Sequence, residues 1–116
     1  MVKIAINGMG RIGRATLKIV LERPEFELAA INDLLPADNL AYLLRYDSVY
    51  GRYEKKVRTE GEDLFIDRQR IPVFHEKDPS RLPWQRLGID AVFECTGVFR
   101  ITTGIRRTKL GSEERK

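Results

Sequence analysis

Three glycines, Gly8, Gly10 and Gly13, follow the first apolar run of the chain with the spacing G-x-G-x-x-G. The run itself, from Val2 to Ile6, is too short for a helix and ends at an Asn-Gly pair, which is typical of a buried parallel strand. After the glycines, apolar residues recur at helical spacing until Pro24. The sequence therefore predicts a strand, a tight turn and a helix in direct succession, which favours an α/β fold with a mostly parallel sheet.

Each glycine has its own expected task in such a turn. Gly8 permits the turn, Gly10 lets a ligand approach the backbone where a side chain would block it, and Gly13 lets the helix lie close to the strand. The free N–H groups at the start of the helix then face an anion, which in a Rossmann unit is the pyrophosphate of a dinucleotide. The apolar residues that recur at helical spacing are Ile12, Ala15, Ile19 and Val20.

An acidic residue closes the second apolar run. Leu28 to Ile31 lead into Asn32 and Asp33, and Asp33 lies twenty residues beyond Gly13. In a Rossmann unit a carboxylate at this distance accepts hydrogen bonds from the adenosine ribose hydroxyls, and it also repels a 2′-phosphate. The sequence thus predicts NAD, in preference to NADP, as the cofactor. The alternative is an ordinary glycine turn followed by an aspartate that caps the next helix.

The middle of the chain changes its pattern. Pro36 is expected at the first position of a short amphipathic helix. The segment from Tyr46 to Gly51 then predicts a loop. Three β-type runs then follow, at Val57 to Thr59, Leu64 to Ile66 and Ile71 to Phe74. Turn residues separate them, so they predict a small antiparallel meander that is an excursion from the parallel sheet.

The run from Ala91 to Phe93 predicts a further buried strand whose carboxyl end opens into a loop at Thr96 and Gly97. Such ends line the ligand crevice of open α/β sheets, so Thr96 and Gly97 are expected to approach the cofactor from the side opposite Gly10. A simple strand-ending turn is the alternative reading of these two residues. The residues expected to pack against the edge of the sheet are Leu82, Trp84 and Leu87.

Length and composition narrow the class of protein. A chain of 116 residues predicts one small domain, below the usual size of a complete two-domain dehydrogenase. No apolar run approaches membrane-spanning length and the chain starts directly with a strand, so a cytoplasmic protein without a membrane partner is expected. A single cysteine, Cys95, excludes an internal disulfide. Together with a single histidine, His75, it predicts no metal site.

The net charge of +4 belongs to the end of the chain. Residues 1–99 contain 15 Lys and Arg and 15 Asp and Glu, whereas residues 100–116 contain 6 and 2. A module that reads nucleic acid usually carries its positive charge on a face of the folded domain. Binding of RNA or DNA is therefore a minor hypothesis, tied to the last segment.

Taken together, several blocks of residues 1–100 resemble the N-terminal, NAD-binding part of glyceraldehyde-3-phosphate dehydrogenase. They occur in the order and at the spacing of that family. The matching stretches are VKIAINGMGRIGR, AINDL, AYLLRYDSVYG, LPW followed by LGID, and ECTGVFR. The resemblance implies a Rossmann-type domain with NAD as its cofactor.

The resemblance also implies roles for individual residues. In the family, the backbone at the positions of Arg11 and Ile12 contacts the pyrophosphate, and the acid at the position of Asp33 holds the adenosine ribose. The position of Lys77 touches the adenine side, and that of Thr96 lies beside the nicotinamide half of the pocket.

The resemblance stops after Arg100. There the family continues with a helix, a strand, a Ser-Cys-Thr-Thr-Asn motif that carries the catalytic cysteine and, further on, the catalytic histidine, none of which this sequence contains. Residues 101–116 instead form a basic tail without clear apolar periodicity. Cys95 and His75 are not expected to replace the missing pair, so no catalytic residue is predicted. The chain is thus expected to be an incomplete domain, a truncated product or a fragment, that binds NAD but does not catalyse.

Two other functions fit the same residues. One is a non-catalytic interaction protein, which pairs with a full-length enzyme or binds RNA weakly through the basic tail. Homo-oligomers or association with a full-length subunit are the expected protein partners in either case. The other is a fragment similar to erythrose-4-phosphate dehydrogenase, because the residues that read the substrate lie outside the matching stretch.

Overall fold

A computed structural model describes residues 1–46, 55–97 and 100–103. Within these ranges the chain forms seven β-strands and two α-helices. In chain order they are β1 (Val2–Asn7), α1 (Arg11–Glu22), β2 (Phe26–Asn32), α2 (Ala37–Tyr46), β3 (Val57–Glu60), β4 (Asp63–Ile66), β5 (Gln69–Phe74), β6 (Ala91–Glu94) and β7 (Arg100–Thr103). A single 3-10 turn, Pro79–Arg81, lies between β5 and β6.

The described strands join in one sheet, in the order β3-β4-β5-β2-β1-β6-β7. β5, β2, β1 and β6 run parallel, and Asn7 is the register partner of both Asn32 and Glu94. From β1 the chain proceeds to β2 on one side and returns later to β6 on the other, so the strand order reverses beside β1. In open α/β sheets, ligands bind outside the carboxyl ends of the strands at such a reversal. We call the ends of β2, β1 and β6, with Asn32, Asn7 and Glu94, the carboxyl edge.

The predicted α/β fold of Rossmann type is confirmed, with one correction to the meander. Its hairpins are antiparallel as expected, but β5 is also a strand of the parallel part. Residues Gln69 to Pro72 pair with β4, whereas Val73 and Phe74 pair in parallel with the end of β2. Because β5 is long enough to serve both neighbours, the meander continues the sheet and is not an excursion from it.

The core occupies both faces of the sheet. Alternate residues of β1 point to opposite sides, so Ile4 and Ile6 pack with the two helices while Ala5 packs beneath Trp84. Trp84 therefore covers the central strands, together with Leu82 and Leu87, and the expectation that these three pack at the sheet edge is wrong. The alanines of β1 and β2 leave the room that the indole ring fills.

Helix α1 turns a different face to the sheet than its apolar spacing suggests. Its buried residues are Gly13, Leu17 and Val20, whereas Ile12 and Ile19 are 49% and 55% exposed. Of the four apolar residues that predicted the helix, only Val20 is buried. The close approach of Gly13 to the glycine turn sets the rotation of the helix, which leaves the two isoleucines on its outer side.

The chain beyond β6 contains a strand that the sequence did not predict. Residues Arg100 to Thr103 form β7, which pairs antiparallel with β6. The expected loop after Tyr46 lies outside the described residues. Neither helix of the described part combines the length and apolar character needed to cross a membrane.

Candidate functional site

A cavity of about 560 Å³ lies at the carboxyl edge. It is bounded by the glycine turn, by the loop after β2, by the loop after β5 and by the loop after β6. Of the residues predicted to bind the cofactor, the cavity wall contains Gly8, Gly10, Asp33, Lys77 and Thr96. The structure thus brings together residues from four separate stretches of the sequence.

The other four predicted residues, Arg11, Ile12, Gly13 and Gly97, are not among the residues of the cavity wall in the described part of the chain. Arg11 and Ile12 are exposed in the first turn of α1, Gly13 is buried beneath that helix, and Gly97 is exposed after β6.

The three glycines of the turn differ in what surrounds them. Gly8 has a φ of +99°, and a Cβ there would lie 2.8 Å from Thr96 Cγ2. A Cβ on Gly13 would lie 1.9 Å from the carbonyl oxygen of Gly8. At Gly10, by contrast, no atom of the described residues outside its immediate chain neighbours lies within 4 Å of an added Cβ. Packing of the protein therefore requires glycine at the first and third positions but not at the second.

Helix α1 begins at the cavity wall. Gly10 is its N-cap and supplies no side chain to accept the first N–H groups of the helix. Its own carbonyl accepts the N–H of Arg14 at 2.9 Å, which starts the helical ladder. The partial positive charge at this end of the helix favours an anion in the open space beside Gly10.

Asp33 follows β2 and is held against the glycine turn by two hydrogen bonds. Its Oδ2 accepts the backbone N–H of Met9 at 2.7 Å, and its Oδ1 accepts that of Leu35 at 2.9 Å. Because each carboxylate oxygen can accept more than one hydrogen bond, both retain capacity toward the cavity. The alternative, in which Asp33 caps the next helix, does not fit these contacts, because Asp33 bonds Met9 and Leu35 and α2 begins only at Ala37.

Two buried asparagines and the half-buried Glu94 form the floor of the cavity. Asn32 Nδ2 donates to Asn7 Oδ1 at 2.9 Å, and Asn7 Nδ2 donates to Glu94 Oε1 at 2.9 Å. Asn7 and Asn32 are only 6% and 4% exposed. None of these three residues was predicted from the sequence to belong to the site. The signal that could have found them is their place, since each is the polar residue that ends an apolar run.

The loop after β5 carries Lys77 to the cavity. The side chain of Asn32 holds the preceding residue, since Oδ1 accepts the N–H of Glu76 at 2.9 Å and Nδ2 donates to its carbonyl at 3.0 Å. Two residues further on, Asp78 accepts the N–H of Ser80 at 3.0 Å and so caps the 3-10 turn. The exposed side chain of Lys77 therefore projects from a backbone that is held on both sides.

The thiol of Cys95 is poorly suited to act as a nucleophile. Burial raises the pKa of this thiol and outweighs the opposing effect of its hydrogen bond with Thr16, while the neighbouring Glu94 carboxylate raises the pKa further. The thiol is therefore protonated at neutral pH. His75 has other partners, because its ring contacts the carbonyl of Asp33 at 2.8 Å and Glu62 at 2.7 Å.

Within residues 1–46, 55–97 and 100–103, no three His, Cys, Asp or Glu side chains are grouped as metal ligands. The residues that surround the cavity fit an organic anion with hydroxyl groups. An uncapped helix N-terminus faces the anion, and a fixed carboxylate lies across the turn from it.

Comparisons with known proteins agree with this geometry. The family model described as glyceraldehyde 3-phosphate dehydrogenase, NAD binding domain, matches residues 2–102. The chain is 54% identical over 101 residues to glyceraldehyde-3-phosphate dehydrogenase 1 of Kluyveromyces lactis. The matching stretch covers 86% of this chain and 31% of the relative. The chain is 51% identical over 102 residues to glyceraldehyde-3-phosphate dehydrogenase of Thermotoga maritima, with coverage of 86% and 31%. The chain thus spans less than a third of the length of these curated relatives.

Proposed function

The chain belongs to the family of glyceraldehyde 3-phosphate dehydrogenase NAD-binding domains, and from this membership we propose that the cavity at the carboxyl edge is its NAD site. The resemblance that the motifs indicated is confirmed, and NAD is the cofactor of the domain. The assignment of individual residues to parts of the cofactor is our proposal.

The observation that carries this proposal is the open space at Gly10. Gly8 and Gly13 are closed in by protein atoms, so their lack of a side chain is explained by packing. Gly10 is not closed in by atoms of the described residues, so a bound ligand is the best explanation for its lack of a side chain. The pyrophosphate of NAD fits this position, because the backbone of Arg11 and Ile12 begins α1 there and offers its N–H groups.

The remaining predicted residues distribute around the cofactor. Asp33 accepts hydrogen bonds from the adenosine ribose hydroxyls and repels a 2′-phosphate. Lys77 lies at the adenine side, whereas Thr96 and Gly97, on the far side of the glycine turn, lie beside the nicotinamide half. This arrangement runs the dinucleotide along the carboxyl edge, across the reversal of strand order.

For the whole enzyme we propose an oxidoreductase of glycolysis that oxidises an aldehyde with phosphate. NAD supplies the hydride acceptor for such a reaction. The described residues of this chain bind and orient the cofactor, and the buried, protonated Cys95 does not serve as nucleophile. Residues 1–100 are the dinucleotide-binding domain in this proposal, and residues 101–116 are a basic tail whose first three residues continue β7.

Titration with the two dinucleotides tests the site. We expect NAD to raise the melting temperature of the chain by mass action and NADP to raise it less. Asp33→Ala should weaken NAD binding and reduce the preference for NAD over NADP. The ratio of the two affinities separates a lost ribose contact from a loosened glycine turn, which would weaken both equally. Asp63→Ala removes an aspartate from a hairpin ion pair and is the matched control. An unchanged ratio in Asp33→Ala would contradict the role of this residue.

We propose in addition that the chain associates with further subunits, either its own copies or full-length relatives. Exposed apolar side chains on and before α2 support this, with Leu35, Tyr42 and Tyr46 between 42% and 60% exposed. Sedimentation at several concentrations tests it, and a monomer throughout would contradict it. A cytoplasmic location accords with a glycolytic role and is checked by cell fractionation. The weak RNA-binding hypothesis concerns the basic tail, residues 101–116, of which residues 104–116 lie outside the described part.

A further inference from the structure

The pairing of β2 with β5 stops just before the cavity. Asn32 and Phe74 are the last register partners, and the N–H of Asp33 still donates to the carbonyl of Phe74 at 2.9 Å. Beyond this point backbone pairing between the two strands ends, and the carboxylate of Asp33 bonds the glycine turn while the other strand continues to Glu76. The His75 ring still contacts the carbonyl of Asp33 at 2.8 Å, but this contact does not hold the backbone of Glu76.

The side chain of Asn32 takes the place of the missing backbone pairing. Its carboxamide bonds both polar groups of the Glu76 backbone, accepting from N–H at 2.9 Å and donating to C=O at 3.0 Å. A carboxamide has the donor and acceptor geometry of a peptide group, so it extends the sheet by one further bonded residue. The loop that begins at Glu76 is thereby fastened to the end of β2.

The orientation of this carboxamide is fixed by its other neighbour. The second N–H of Asn32 Nδ2 donates to Asn7 Oδ1 at 2.9 Å, and Asn7 in turn donates to Glu94 at 2.9 Å. A flipped carboxamide would set donor against donor at Glu76 and acceptor against acceptor at Asn7. Since Asn32 is buried, such mismatched groups would also lack water, which makes the flip costly.

We propose that Asn32 is a positioning residue of the NAD site, which acts through the Glu76 backbone to set the place of Lys77 at the cavity wall. This inference rests on the proposed function, in which Lys77 lies at the adenine side. Both donors of the Asn32 carboxamide are used within the protein. Asn32 therefore affects the cofactor indirectly. It holds the backbone of Glu76, and this backbone sets the place of the next residue, Lys77.

A double-mutant cycle on the full chain tests this inference. The NAD dissociation constant is measured by calorimetry for the wild type, Asn32→Ala, Lys77→Ala and the double variant. If Asn32 acts through Lys77, the loss of affinity caused by Asn32→Ala should be smaller by about threefold or more when Lys77 is already alanine. Losses that simply multiply would overturn the inference.

Two controls separate positioning from stability. Gln69 Nε2 donates to the carbonyl of Leu28 at 2.8 Å, so it also ties β5 to the backbone of β2, but away from the cavity. Gln69→Ala should lower the melting temperature without changing the NAD dissociation constant. If Asn32→Ala does not fold, Asn32→Thr replaces it, since threonine suits a strand but does not bridge both groups of Glu76.

Amide hydrogen exchange gives a second readout that needs no ligand. The N–H of Glu76 should exchange slowly in the wild type and faster in the Asn32 variant, while the N–H of Asp33, bonded to Phe74, stays protected. Unchanged exchange at Glu76 would overturn the inference while leaving the proposed function intact. Absence of NAD binding in the wild type would instead overturn the proposed function, and this inference with it.

Discussion

The carboxyl edge and the hairpins of β3, β4 and β5 use polar residues in opposite ways. In the hairpins they form exposed ion pairs, such as Arg70 with Asp63 at 2.7 Å and Arg58 with Glu60. At the carboxyl edge, two nearly fully buried asparagines are bonded to each other and to a carboxylate. Burying a polar group is unfavourable unless it is paired, whereas an exposed one needs no partner.

In this sheet, the buried and paired polar side chains lie at the candidate site, whereas the exposed ion pairs lie away from it. Exposed ion pairs contribute little to stability and do not fix a geometry. A buried network that holds loops around a cavity constrains them, and such a network accompanies the candidate site. We therefore expect substitutions at the carboxyl edge to have large effects, and those in the hairpins to have small ones.

The largest effect is expected from Gly13→Ala. Its Cβ would lie 1.9 Å from the carbonyl oxygen of Gly8, so α1 must move away from the turn. Overpacking typically costs about 1–3 kcal/mol and occasionally more, and this contact is with backbone, so we expect about 3 kcal/mol or more. Gly10→Ala is the matched control and should lose much less, about 1 kcal/mol or less, because its Cβ meets no atom of the described residues outside its chain neighbours and alanine only replaces glycine at an N-cap. Equal stability of the two variants would show that packing does not distinguish Gly13 from Gly10.

A smaller but clear loss is expected from Asn7→Ala. The substitution leaves a donor of Asn32 and a carboxylate oxygen of Glu94 without their partner. A buried group left unpaired costs about 1–3 kcal/mol, which urea unfolding measures directly. A loss too small to measure would mean that water bonds the groups that Asn7 leaves. The buried network would then not make the carboxyl edge more sensitive than the hairpins.

A still smaller loss is expected from Arg70→Ala in the hairpins. The guanidinium bonds Asp63 at 2.7 Å, yet its side chain is 61% exposed. Exposed pairs contribute about 0–1 kcal/mol and are weakened by salt, so the unfolding free energy should change little and less still in high salt. A loss as large as that of Asn7→Ala would remove the contrast between the two regions.

The smallest effect concerns the thiol of Cys95 and is absent at neutral pH. Burial raises its pKa in the folded chain, so the stability linked to this group is complete below the pKa of an ordinary thiol and decreases as pH rises through the raised value. Unfolding free energy measured against pH should fall over this range for the wild type. Cys95→Ala should show less of the fall, and identical profiles would contradict the buried position.

Much of the site was predictable because its signals are local. The glycine spacing and the distance to Asp33 follow from the geometry of one strand, one turn and one helix. The structure brings Gly8, Gly10 and Asp33 to one cavity, while Gly13 packs beneath the helix. The fold class followed from the same stretch together with the later run that became β6.

The remainder depended on contacts between distant residues. Asn7 and Glu94 are 87 positions apart, and their bond exists only because β1 lies beside β6. The rotation of α1 is set by the contact between Gly13 and the carbonyl of Gly8, which apolar spacing does not contain. The place of Trp84 on the sheet face likewise depends on the alanines of two other strands.

If the open space at Gly10 receives the pyrophosphate of NAD, a side chain added there should obstruct the cofactor. Calorimetric titration of Gly10→Ala with NAD measures this obstruction. A Cβ there meets no atom of the described residues beyond its immediate chain neighbours, so the variant should fold and lose only the preference for glycine over alanine at an N-cap, about 1 kcal/mol or less. We predict that its NAD dissociation constant rises by about tenfold or more, or at least about 1.4 kcal/mol of binding free energy. A stable variant that binds NAD as tightly as the wild type would contradict the account.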